Sequence, residues 1–294
     1  MRRLETGLVL VAAVATLVGL PRGDAAVADR TAPPADDRLN AVAWVQSSAE
    51  YRAIARQTWR AVGAALETRL DETSGSAVLG DDWRGIARPP ALIVDVDETV
   101  LDNSPFEARL VARGESYSPR AWAEWVREAN ALPVPGALEA LGRAAELGIA
   151  VFYVTNRDAV LEEPTRANLA RWGFPLDARR DTVLMKGEED GWGSDKTSRR
   201  ARVARSHRVL ALVGDDLGDF LPGSRSSAAD RAALTAELDG RWGTSWFALP
   251  NPVYGSWERC LNGFEDANSE VMRARKREAL DPRHPRATEL QPTR

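Results

Sequence analysis

Asp95 and Asp97 are the residues whose spacing most directly suggests chemistry. They follow the apolar run Ala91 to Val94, with Val96 between them and Glu98-Thr99 after them. A buried strand would therefore place two carboxylates side by side at its end. Two negative charges with little water nearby repel each other, and proteins usually neutralise such a pair with a divalent cation or with a proton on one acid. The stretch therefore indicates metal-assisted acid chemistry.

Further polar residues that could hold a phosphate or a metal ion follow two later apolar runs or lie between them: Thr155, Asn156, Arg157, Lys196, Asp215 and Asp219. The two runs are Ile149 to Val154 and Val209 to Val213. If both runs are parallel strands, their carboxyl ends meet at one edge of the sheet, where such folds bind ligands. We therefore expect these residues to form one site with Asp95 and Asp97.

The residue types predict phosphoryl transfer. Asp95 is the expected nucleophile, since a fixed carboxylate can attack phosphorus and form an aspartyl-phosphate. Asp97 would protonate the leaving alkoxide as general acid and then activate water as general base. The Thr155 hydroxyl and the backbone N–H of Asn156 would donate to phosphoryl oxygens, and Lys196 would balance the charge of the attacking carboxylate and the phosphate.

Mg²⁺ is the expected cofactor, because carboxylate, carbonyl and phosphate oxygens suit a small hard cation. The expected metal site contains Asp95, Asp97 and Asp215, together with the backbone carbonyl of Val96. Asp219, one helical turn after Asp215, would support the ion through a water molecule.

Each of these patterns also has a simple structural explanation. A D-x-D pair on a loop is more often a solvated turn than a catalytic pair, and Thr-Asn-Arg after a strand is usually a helix cap. Gly214-Asp215-Asp216 is likewise compatible with an ordinary turn. The conjunction of such groups at three strand ends favours a catalytic site.

From residue 91 onward, short apolar runs alternate with helical stretches. The runs are Ala91 to Val94, Ile149 to Val154, Thr182 to Met185, Val209 to Val213 and Trp246 to Leu249. Helical patterns lie near Gly136 to Leu147, Leu161 to Trp172, Asp195 to Ser206 and Ala228 to Leu238. Strands without polar alternation that are separated by helices are typical of a parallel sheet covered on both faces. The sequence therefore predicts an α/β fold built on a doubly wound parallel sheet.

The chain divides into segments of different pattern: a signal peptide at 1–28, a linker and helical region packing on the core at 29–90, a catalytic core at 91–265 with a small helical insertion at about 103–133, and a C-terminal tail at 266–294. Three- and four-residue spacing of apolar side chains predicts a helix from Tyr51 to Leu70, and Ser47 with Glu50 forms a capping-box pattern.

The N-terminal segment predicts export. Arg2-Arg3 precedes the apolar run Gly7 to Leu20, and Ala26-Val27-Ala28 has the small-x-small pattern of a signal-peptidase site. The run is shorter than the ~20 residues of a membrane-spanning helix, so we expect no stable membrane anchor after cleavage. The mature protein would be periplasmic or extracellular.

The composition is that of a globular protein, with 44% hydrophobic and 28% charged residues among 294. A formal net charge of −4 disfavours binding of nucleic-acid polymers or membrane surfaces by bulk charge. Cys260 is the only cysteine, so no intrachain disulfide can form.

Four segments resemble the four motifs of the haloacid dehalogenase (HAD) superfamily: Asp95-Val96-Asp97-Glu98-Thr99 with Leu101-Asp102-Asn103-Ser104-Pro105, Val154-Thr155-Asn156-Arg157, Ser194-Asp195-Lys196 and Gly214-Asp215-Asp216-Leu217-Gly218-Asp219-Phe220. Residues 43–51 and 250–258 resemble the class B and class C acid phosphatase branch, especially the lipoprotein e family of 5'-nucleotidases. The resemblance implies a HAD-like core and a Mg²⁺-dependent phosphomonoesterase working at mildly acidic pH. It also implies nucleoside monophosphate substrates and a possible homodimer.

In that family, the nucleotide substrates lie between aromatic side chains. Tyr254 matches the family's aromatic residue before Gly-x-Trp, and Trp122 or Trp125 in the insertion is the expected opposite wall. With Asn156 and Arg157 they make up the expected substrate-binding residues. The alternative is that the tryptophans belong to the core.

The sequence departs from the family pattern at two places. It lacks the lipoprotein cysteine, and Asp216 stands where family members commonly have Asn, which would add a carboxylate near the metal.

Other functions remain as alternatives. A phosphotransferase would use the same scaffold, and an exported protein could bind nucleotide or haem without catalysis. A dehalogenase would need neither Asp97 nor Mg²⁺. A histidine acid phosphatase would need a catalytic histidine in a context that His207 and His284 lack.

Overall fold

A five-stranded sheet forms the centre of the computed structural model, which describes residues 36–72, 75–81 and 87–282. The strands of the chain are β1 (Pro90–Val94), β2 (Leu101–Asp102), β3 (Leu132–Pro133), β4 (Ala150–Asp158), β5 (Val183–Lys186), β6 (Arg208–Gly214) and β7 (Trp246–Ala248). The sheet order is β5-β4-β1-β6-β7, and all neighbours are parallel. All five predicted apolar runs form its strands, which confirms the predicted α/β sheet.

Helices connect and cover the strands: α1 (Leu39–Ser47), α2 (Ala49–Asp71), α3 (Ser104–Arg113), α4 (Pro119–Arg127), α5 (Ala137–Glu146), α6 (Glu162–Trp172), α7 (Thr197–Ser206), α8 (Ala228–Glu237), α9 (Ser256–Arg259) and α10 (Ser269–Ala279). Alternate residues of β1 enter two separate cores, as period-2 side-chain geometry requires. Leu92 and Val94 share a core with side chains of α2 and α5, whereas Ala91 and Ile93 share a core with side chains of α7. Helices therefore cover both faces of the sheet.

The N-terminal helical region packs on this sheet. The buried face of α2 contains Ala55, Trp59, Val62 and Leu66, all in the core that also contains Leu92. The cap of α2 is Ser48 rather than the predicted Ser47, because Ser48 has extended backbone angles and its hydroxyl accepts the Tyr51 N–H at 3.0 Å. Ser47 still belongs to α1. The predicted signal peptide, residues 1–28, lies outside the described residues.

The insertion after β1 begins and ends at one small antiparallel pair. Leu101 of β2 pairs with Pro133 of β3, and Asp102 pairs with Leu132. The chain between them forms α3 and α4. Because both ends of the insertion lie next to the loop after β1, its helices are held beside the carboxyl edge of the sheet.

Part of the predicted C-terminal tail is an ordered helix, α10. Asn268 caps it by accepting the backbone N–H groups of Glu270 and Val271. Nζ of Lys276 lies 2.6 Å from Asp37 and 2.5 Å from Glu258, which attaches the helix to the residues before α1 and to α9. Within the predicted C-terminal tail at 266–294, residues 269–279 thus form a helix that has no buried residue and is stabilised by its cap and by these ion pairs. Among the described residues, no helix is long and apolar enough to cross a membrane.

Candidate active site

A cavity of about 730 Å³ lies at the carboxyl ends of β1, β4 and β6. The predicted site residues that line it are Asp95, Asp97, Trp122, Asn156, Arg157, Lys196, Asp215, Asp219 and Tyr254. The helical insertion contributes to one side, and residues 253–272 contribute to another. The topology thus gathers these side chains from six separated stretches of sequence.

Asp95, Asp215 and Asp219 form a carboxylate cluster in which the contributing oxygen atoms lie within 4.8 Å of one another. Asp215 is fixed by the Thr99 hydroxyl, 3.1 Å from Oδ1, and by Nδ2 of Asn251, 2.8 Å from Oδ2. Burial raises the pKa of the Asp215 carboxyl well above its usual value, and the Asp219 and Asp95 carboxylates act in the same direction. The cluster therefore concentrates negative charge where little water can screen it.

Asp219 is held against the end of β6. Its Oδ2 accepts the backbone N–H of Asp215 at 3.1 Å and that of Asp216 at 2.9 Å. A Cβ on Gly214 would lie 2.3 Å from this oxygen. Only glycine leaves room for the Asp219 carboxylate at this position, so Gly214 is part of the site's architecture.

Lys196 provides the ammonium group of the cluster. Its Nζ lies 2.6 Å from Oδ1 of Asp219 and also donates to Oδ1 of Asp95. Burial opposes the charged ammonium, but the Asp219 and Asp95 carboxylates outweigh it and raise the pKa of Lys196 above its usual value. Burial raises the pKa of Asp95 to about 7, with Lys196 acting in the opposite direction. One ammonium thus offsets only part of the charge of three carboxylates.

The donor set fits a hard divalent cation. Carboxylate oxygens in a buried cluster with a deficit of positive charge are the ligands such ions prefer. Asp95 and Asp215 would hold the ion directly. Asp219 already accepts two N–H groups and Lys196, so it would support the ion from the side.

The predicted role of the Val96 carbonyl as a metal ligand is corrected by the structure. This oxygen accepts the backbone N–H of Val100 at 2.9 Å and that of Leu101 at 2.8 Å. A carbonyl oxygen has two lone pairs, and the turn after Asp95 uses both. Val96 therefore closes the turn that carries the two acids.

Asp97 lies outside the carboxylate cluster, so its side chain is not placed as a metal ligand. Its Oδ1 accepts Nη2 of Arg157 at 2.8 Å, Nε of Arg157 at 3.0 Å and Nδ2 of Asn103 at 2.9 Å. Oδ2 has only a 3.4 Å contact with Nε. Oδ2 is thus the oxygen that remains available for proton transfer at the cavity.

Arg157 holds Asp97 from a buried position. Its side chain is 1% exposed, and Nη1 donates to the Thr165 hydroxyl at 3.1 Å. The guanidinium therefore uses most of its N–H groups for hydrogen bonds within the protein. These contacts position Asp97, and because Arg157 also lines the cavity, its direct contact with a substrate stays a prediction.

Thr155 and Asn156 differ in their access to the cavity. Thr155 is fully buried, does not line the cavity, and its Oγ1 accepts the Arg157 N–H at 3.1 Å. Asn156 lines the cavity, and its Nδ2 donates to the Ser194 carbonyl at 3.0 Å. The hydroxyl of Thr155 therefore lies behind the surface that a phosphate would contact.

The two tryptophans of the insertion have different environments. Trp122 lines the cavity, and its ring centroid lies 5.5 Å from Cζ of Arg157. Trp125 is 4% exposed and donates from Nε1 to Oδ1 of Asn103 at 2.8 Å. Trp122 is thus the one placed to contact a substrate, whereas Trp125 supports Asn103 from the core.

Tyr254 lines the cavity and is fixed through its hydroxyl, which donates to Oε2 of the buried Glu98. Glu98 has a left-handed backbone with φ 54° and also accepts the Asn103 N–H at 2.9 Å. Burial raises the pKa of the Glu98 carboxyl well above its usual value, and Asp97 adds to the effect. Glu98 thus connects the loop of the two acids to the aromatic wall.

Several residues that shape the site were not assigned a role from the sequence: Glu98, Thr99, Asn103, Arg199 and Asn251. Arg199 is fully buried and donates to the Thr155 carbonyl and, at 2.7 Å, to Oδ1 of Asn156. Its sequence signal is its spacing, since it lies one helical turn after Lys196 on α7. The other four belong to segments that carry the family resemblance, but their partners are set by tertiary contacts.

Known proteins resemble the chain along most of its length. The chain is 28% identical to the class C acid phosphatase from Bacillus anthracis, with a TM-score of 0.73 over 83% of this chain and 96% of that one. A structure of that enzyme with tungstate bound gives a TM-score of 0.72 at 27% identity, with the same coverage.

Plant proteins are also similar. Acid phosphatase 1 from Solanum lycopersicum is 28% identical over 204 residues, covering 66% of this chain and 70% of that protein. The stem 28 kDa glycoprotein from Glycine max is 25% identical over 167 residues, covering 55% of this chain. The chain spans 58% of the length of that glycoprotein.

The family model of the HAD superfamily, subfamily IIIB (acid phosphatase), matches residues 15–257, most of the chain. The chain belongs to the acid phosphatase family of the HAD superfamily, subfamily IIIB.

Proposed function

We propose that this protein is an exported Mg²⁺-dependent acid phosphatase that hydrolyses phosphomonoesters, in particular nucleoside 5'-monophosphates, through an aspartyl-phosphate on Asp95. The observation that carries the proposal is that the two acids, Asp95 and Asp97, have different surroundings. Asp95 accepts a hydrogen bond from Lys196 and belongs to the cluster with Asp215 and Asp219, whereas Asp97 is held by Arg157. Different surroundings allow two nearby carboxyls to take different roles.

In the first step an oxygen of Asp95 attacks phosphorus, and the bond between phosphorus and the ester oxygen breaks. Asp97 gives its proton to the leaving alkoxide. Lys196 keeps Asp95 oriented and offsets negative charge on the phosphoryl group. A bound Mg²⁺ would supply further positive charge for the phosphoryl oxygens at the Asp95–Asp215 end of the cluster.

In the second step Asp97 accepts a proton from water, and the water oxygen attacks phosphorus. The bond between phosphorus and the Asp95 oxygen breaks, which releases inorganic phosphate and restores the carboxylate. Arg157 and Asn103 hold Oδ1 of Asp97 throughout, so that Oδ2 can exchange the proton.

The cavity supports a substrate with a flat aromatic group. Its volume of about 730 Å³ is in the range of ligand sites for small organic molecules. Tyr254 and Trp122 both line it, and stacking on aromatic side chains accepts many bases without base-specific hydrogen bonds. A nucleoside monophosphate would thus place its base between these rings.

The test is hydrolysis of adenosine 5'-monophosphate and p-nitrophenyl phosphate by the purified protein with Mg²⁺. We expect turnover with Mg²⁺, loss of activity with EDTA, recovery on adding Mg²⁺, and inhibition by tungstate. Asp95→Asn should abolish turnover, and Asp230→Asn on the surface of α8 is the matched control. Near-normal turnover by Asp95→Asn would overturn the covalent mechanism, and nucleotide binding without hydrolysis by the wild type would favour a binding protein.

Export and dimerisation are tested on the same preparation. Expressed in a bacterial host from the full sequence, the protein should be recovered outside the cytoplasm with Asp29 as its first residue. Light scattering should give twice the chain mass. Retention of residues 1–28 would contradict export with cleavage, and a single-chain mass would contradict dimerisation.

A further inference from the structure

Asp216 lies beside the carboxylate cluster, but its side chain makes its contacts elsewhere. Oδ1 accepts the Gly218 N–H at 2.8 Å and the Ser256 hydroxyl at 2.7 Å, and Oδ2 accepts the Ser256 N–H at 2.6 Å. Three donors thus hold the carboxylate. It connects the loop after β6 to the turn at the start of α9 and is not a member of the cluster formed by Asp95, Asp215 and Asp219.

The turn at Gly255 approaches this carboxylate closely. Gly255 has φ 144°, and a Cβ there would lie 3.3 Å from Oδ2 of Asp216 and 3.1 Å from Cδ1 of Trp257. Glycine is suited both to this backbone conformation and to this approach. The contact between Asp216 and the turn is therefore built into the backbone.

Tyr254 is the residue directly before this turn. Upstream, Nδ2 of Asn251 donates to Asp215 at 2.8 Å, and Oδ1 of Asn251 accepts the Val253 N–H at 3.0 Å. The Tyr254 hydroxyl donates to Glu98. The Asp216 contacts fix the chain after Tyr254, and the Asn251 contacts fix the chain before it. The Tyr254 ring is therefore positioned by its own hydroxyl and by the backbone on both sides.

We propose that Asp216 is a specificity-determining positioning residue. By holding the Gly255–Ser256 turn it sets the position of the Tyr254 ring, and it thereby favours phosphomonoesters with a flat aromatic group over aliphatic ones. The proposal rests on the proposed function, because it assigns a selectivity to that same site. It also gives Asp216 a role at the substrate wall instead of at the metal.

The experiment compares adenosine 5'-monophosphate with glycerol 2-phosphate at saturating Mg²⁺. Asp216→Ala should raise KM for the nucleotide about tenfold, which is within the range of one stacking contact, and change kcat/KM for glycerol 2-phosphate less than about threefold. Asp216→Asn should have a smaller effect, since an amide oxygen still accepts hydrogen bonds but the NH₂ group cannot accept the Ser256 N–H. Asp239→Asn, an exposed residue after α8, is the matched control.

A second variant changes Ser256, the partner of Asp216 in this contact. Ser256→Ala removes the hydroxyl and keeps the backbone N–H, so we expect about a threefold rise in KM for the nucleotide. The double variant with Asp216→Ala should behave like Asp216→Ala alone, because the shared contact is already absent. Additive effects of the two substitutions would overturn the proposal, as would equal losses on both substrates or no change in the ratio between them.

Tyr254→Ala distinguishes a failure of the proposed function from a failure of the role of Asp216. If this variant leaves the ratio of nucleotide to glycerol phosphate hydrolysis unchanged, the aromatic-substrate part of the proposed function fails and the role of Asp216 fails with it. If Tyr254→Ala lowers the ratio and Asp216→Ala does not, only the role of Asp216 is overturned.

Discussion

Arg157 contacts Asp97 through two nitrogens of its guanidinium, Nη2 at 2.8 Å and Nε at 3.0 Å from Oδ1. The arginine is almost completely buried, whereas the carboxylate is 17% exposed at the cavity. The rigid donor geometry of a guanidinium fixes Oδ1 from two directions, which a lysine ammonium cannot reproduce. This pair therefore controls the direction in which Asp97 offers its free oxygen.

Replacement of Arg157 should lower catalysis more than substrate binding. Because proton transfer by a positioned group contributes about 10²–10⁴-fold to the rate, we expect Arg157→Met to lower kcat for p-nitrophenyl phosphate at least about tenfold, with a smaller change in KM. Arg157→Lys should recover only part of the loss. Steady-state kinetics gives both constants. Arg120→Gln, on an exposed part of α4, should behave like the wild type, and a normal kcat for Arg157→Met would contradict the positioning role.

Gly214→Ala should damage both folding and activity. The added Cβ would lie 2.3 Å from Oδ2 of Asp219, so either the carboxylate or the backbone must move. Overpacking of this kind costs about 1–3 kcal/mol of unfolding free energy, and displacement of Asp219 also frees Lys196 from one of its two partners. Thermal denaturation and turnover with Mg²⁺ measure the two effects.

Gly63→Ala is the matched control for that change. Gly63 lies within α2, and a Cβ there meets no atom within 4 Å. Alanine is favoured over glycine in a helix by about 0.5–1 kcal/mol, so this variant should be slightly more stable and fully active. If Gly214→Ala matched it, the close approach of Asp219 would not matter for the site.

Glu188 should make the stability of the fold depend on pH. Burial raises the pKa of its carboxyl to about 7, and a hydrogen bond with Asp181 adds to the shift. A pKa above the unfolded value means that the folded state binds the proton more tightly. The stabilisation is complete below about pH 4.5 and is lost as the pH rises through about 7. Since the side chain is partly exposed, solvent screening limits the effect to less than about 1 kcal/mol.

Glu188→Gln tests this dependence, because the amide oxygen can still accept the Met185 N–H while the titrating group is removed. The difference in unfolding free energy between pH 5 and pH 8, from urea denaturation, should be smaller than in the wild type. Glu189→Gln changes the exposed neighbour and should leave the difference unaltered. Identical differences in all three proteins would rule out Glu188 as the source.

The parallel sheet could be predicted because its signal is local. The run Ala91 to Val94 is apolar at every position and is followed at once by Asp95, and the apolar run Val209 to Val213 is followed by Gly214 and then by Asp215. Such runs form buried strands whatever their partners are. The joint placement of Asp95 and Asp215 then follows from the rule that parallel strands end at one edge.

Contacts fixed by tertiary structure could not be predicted in this way. Whether the Val96 carbonyl is free depends on how tightly the following turn closes, and that turn uses both lone pairs. The direction of the Arg157 side chain depends on Asn103 and Thr165, which belong to other elements. The helix in the expected tail depends on Lys276 meeting Asp37 and Glu258, far apart in sequence.

The sequence gives little indication of the role of Arg199, but substitution can test that role directly. Its guanidinium is fully buried and donates to the carbonyls of Thr155 and Gly193 and to Oδ1 of Asn156. These contacts tie the end of β4 to the loop that carries Lys196. Loss of the donors removes this partner from the buried Thr155 carbonyl, at about 1–3 kcal/mol, and frees the more exposed oxygens of Asn156 and Gly193.

We therefore expect Arg199→Met to lower the unfolding free energy by about 1–3 kcal/mol and to lower kcat, because Asn156 and the loop that carries Lys196 lose their common support. Arg199→Lys retains the charge but not the forked donors, so its stability and kcat should fall between those of the Met variant and the wild type. Arg202→Met, on the exposed face of the same helix, controls for the loss of an arginine. If Arg199→Met lowered stability but left kcat at the wild-type value under conditions where the protein is folded, Arg199 would support the fold alone and the coupling of the two loops to catalysis would be disproved.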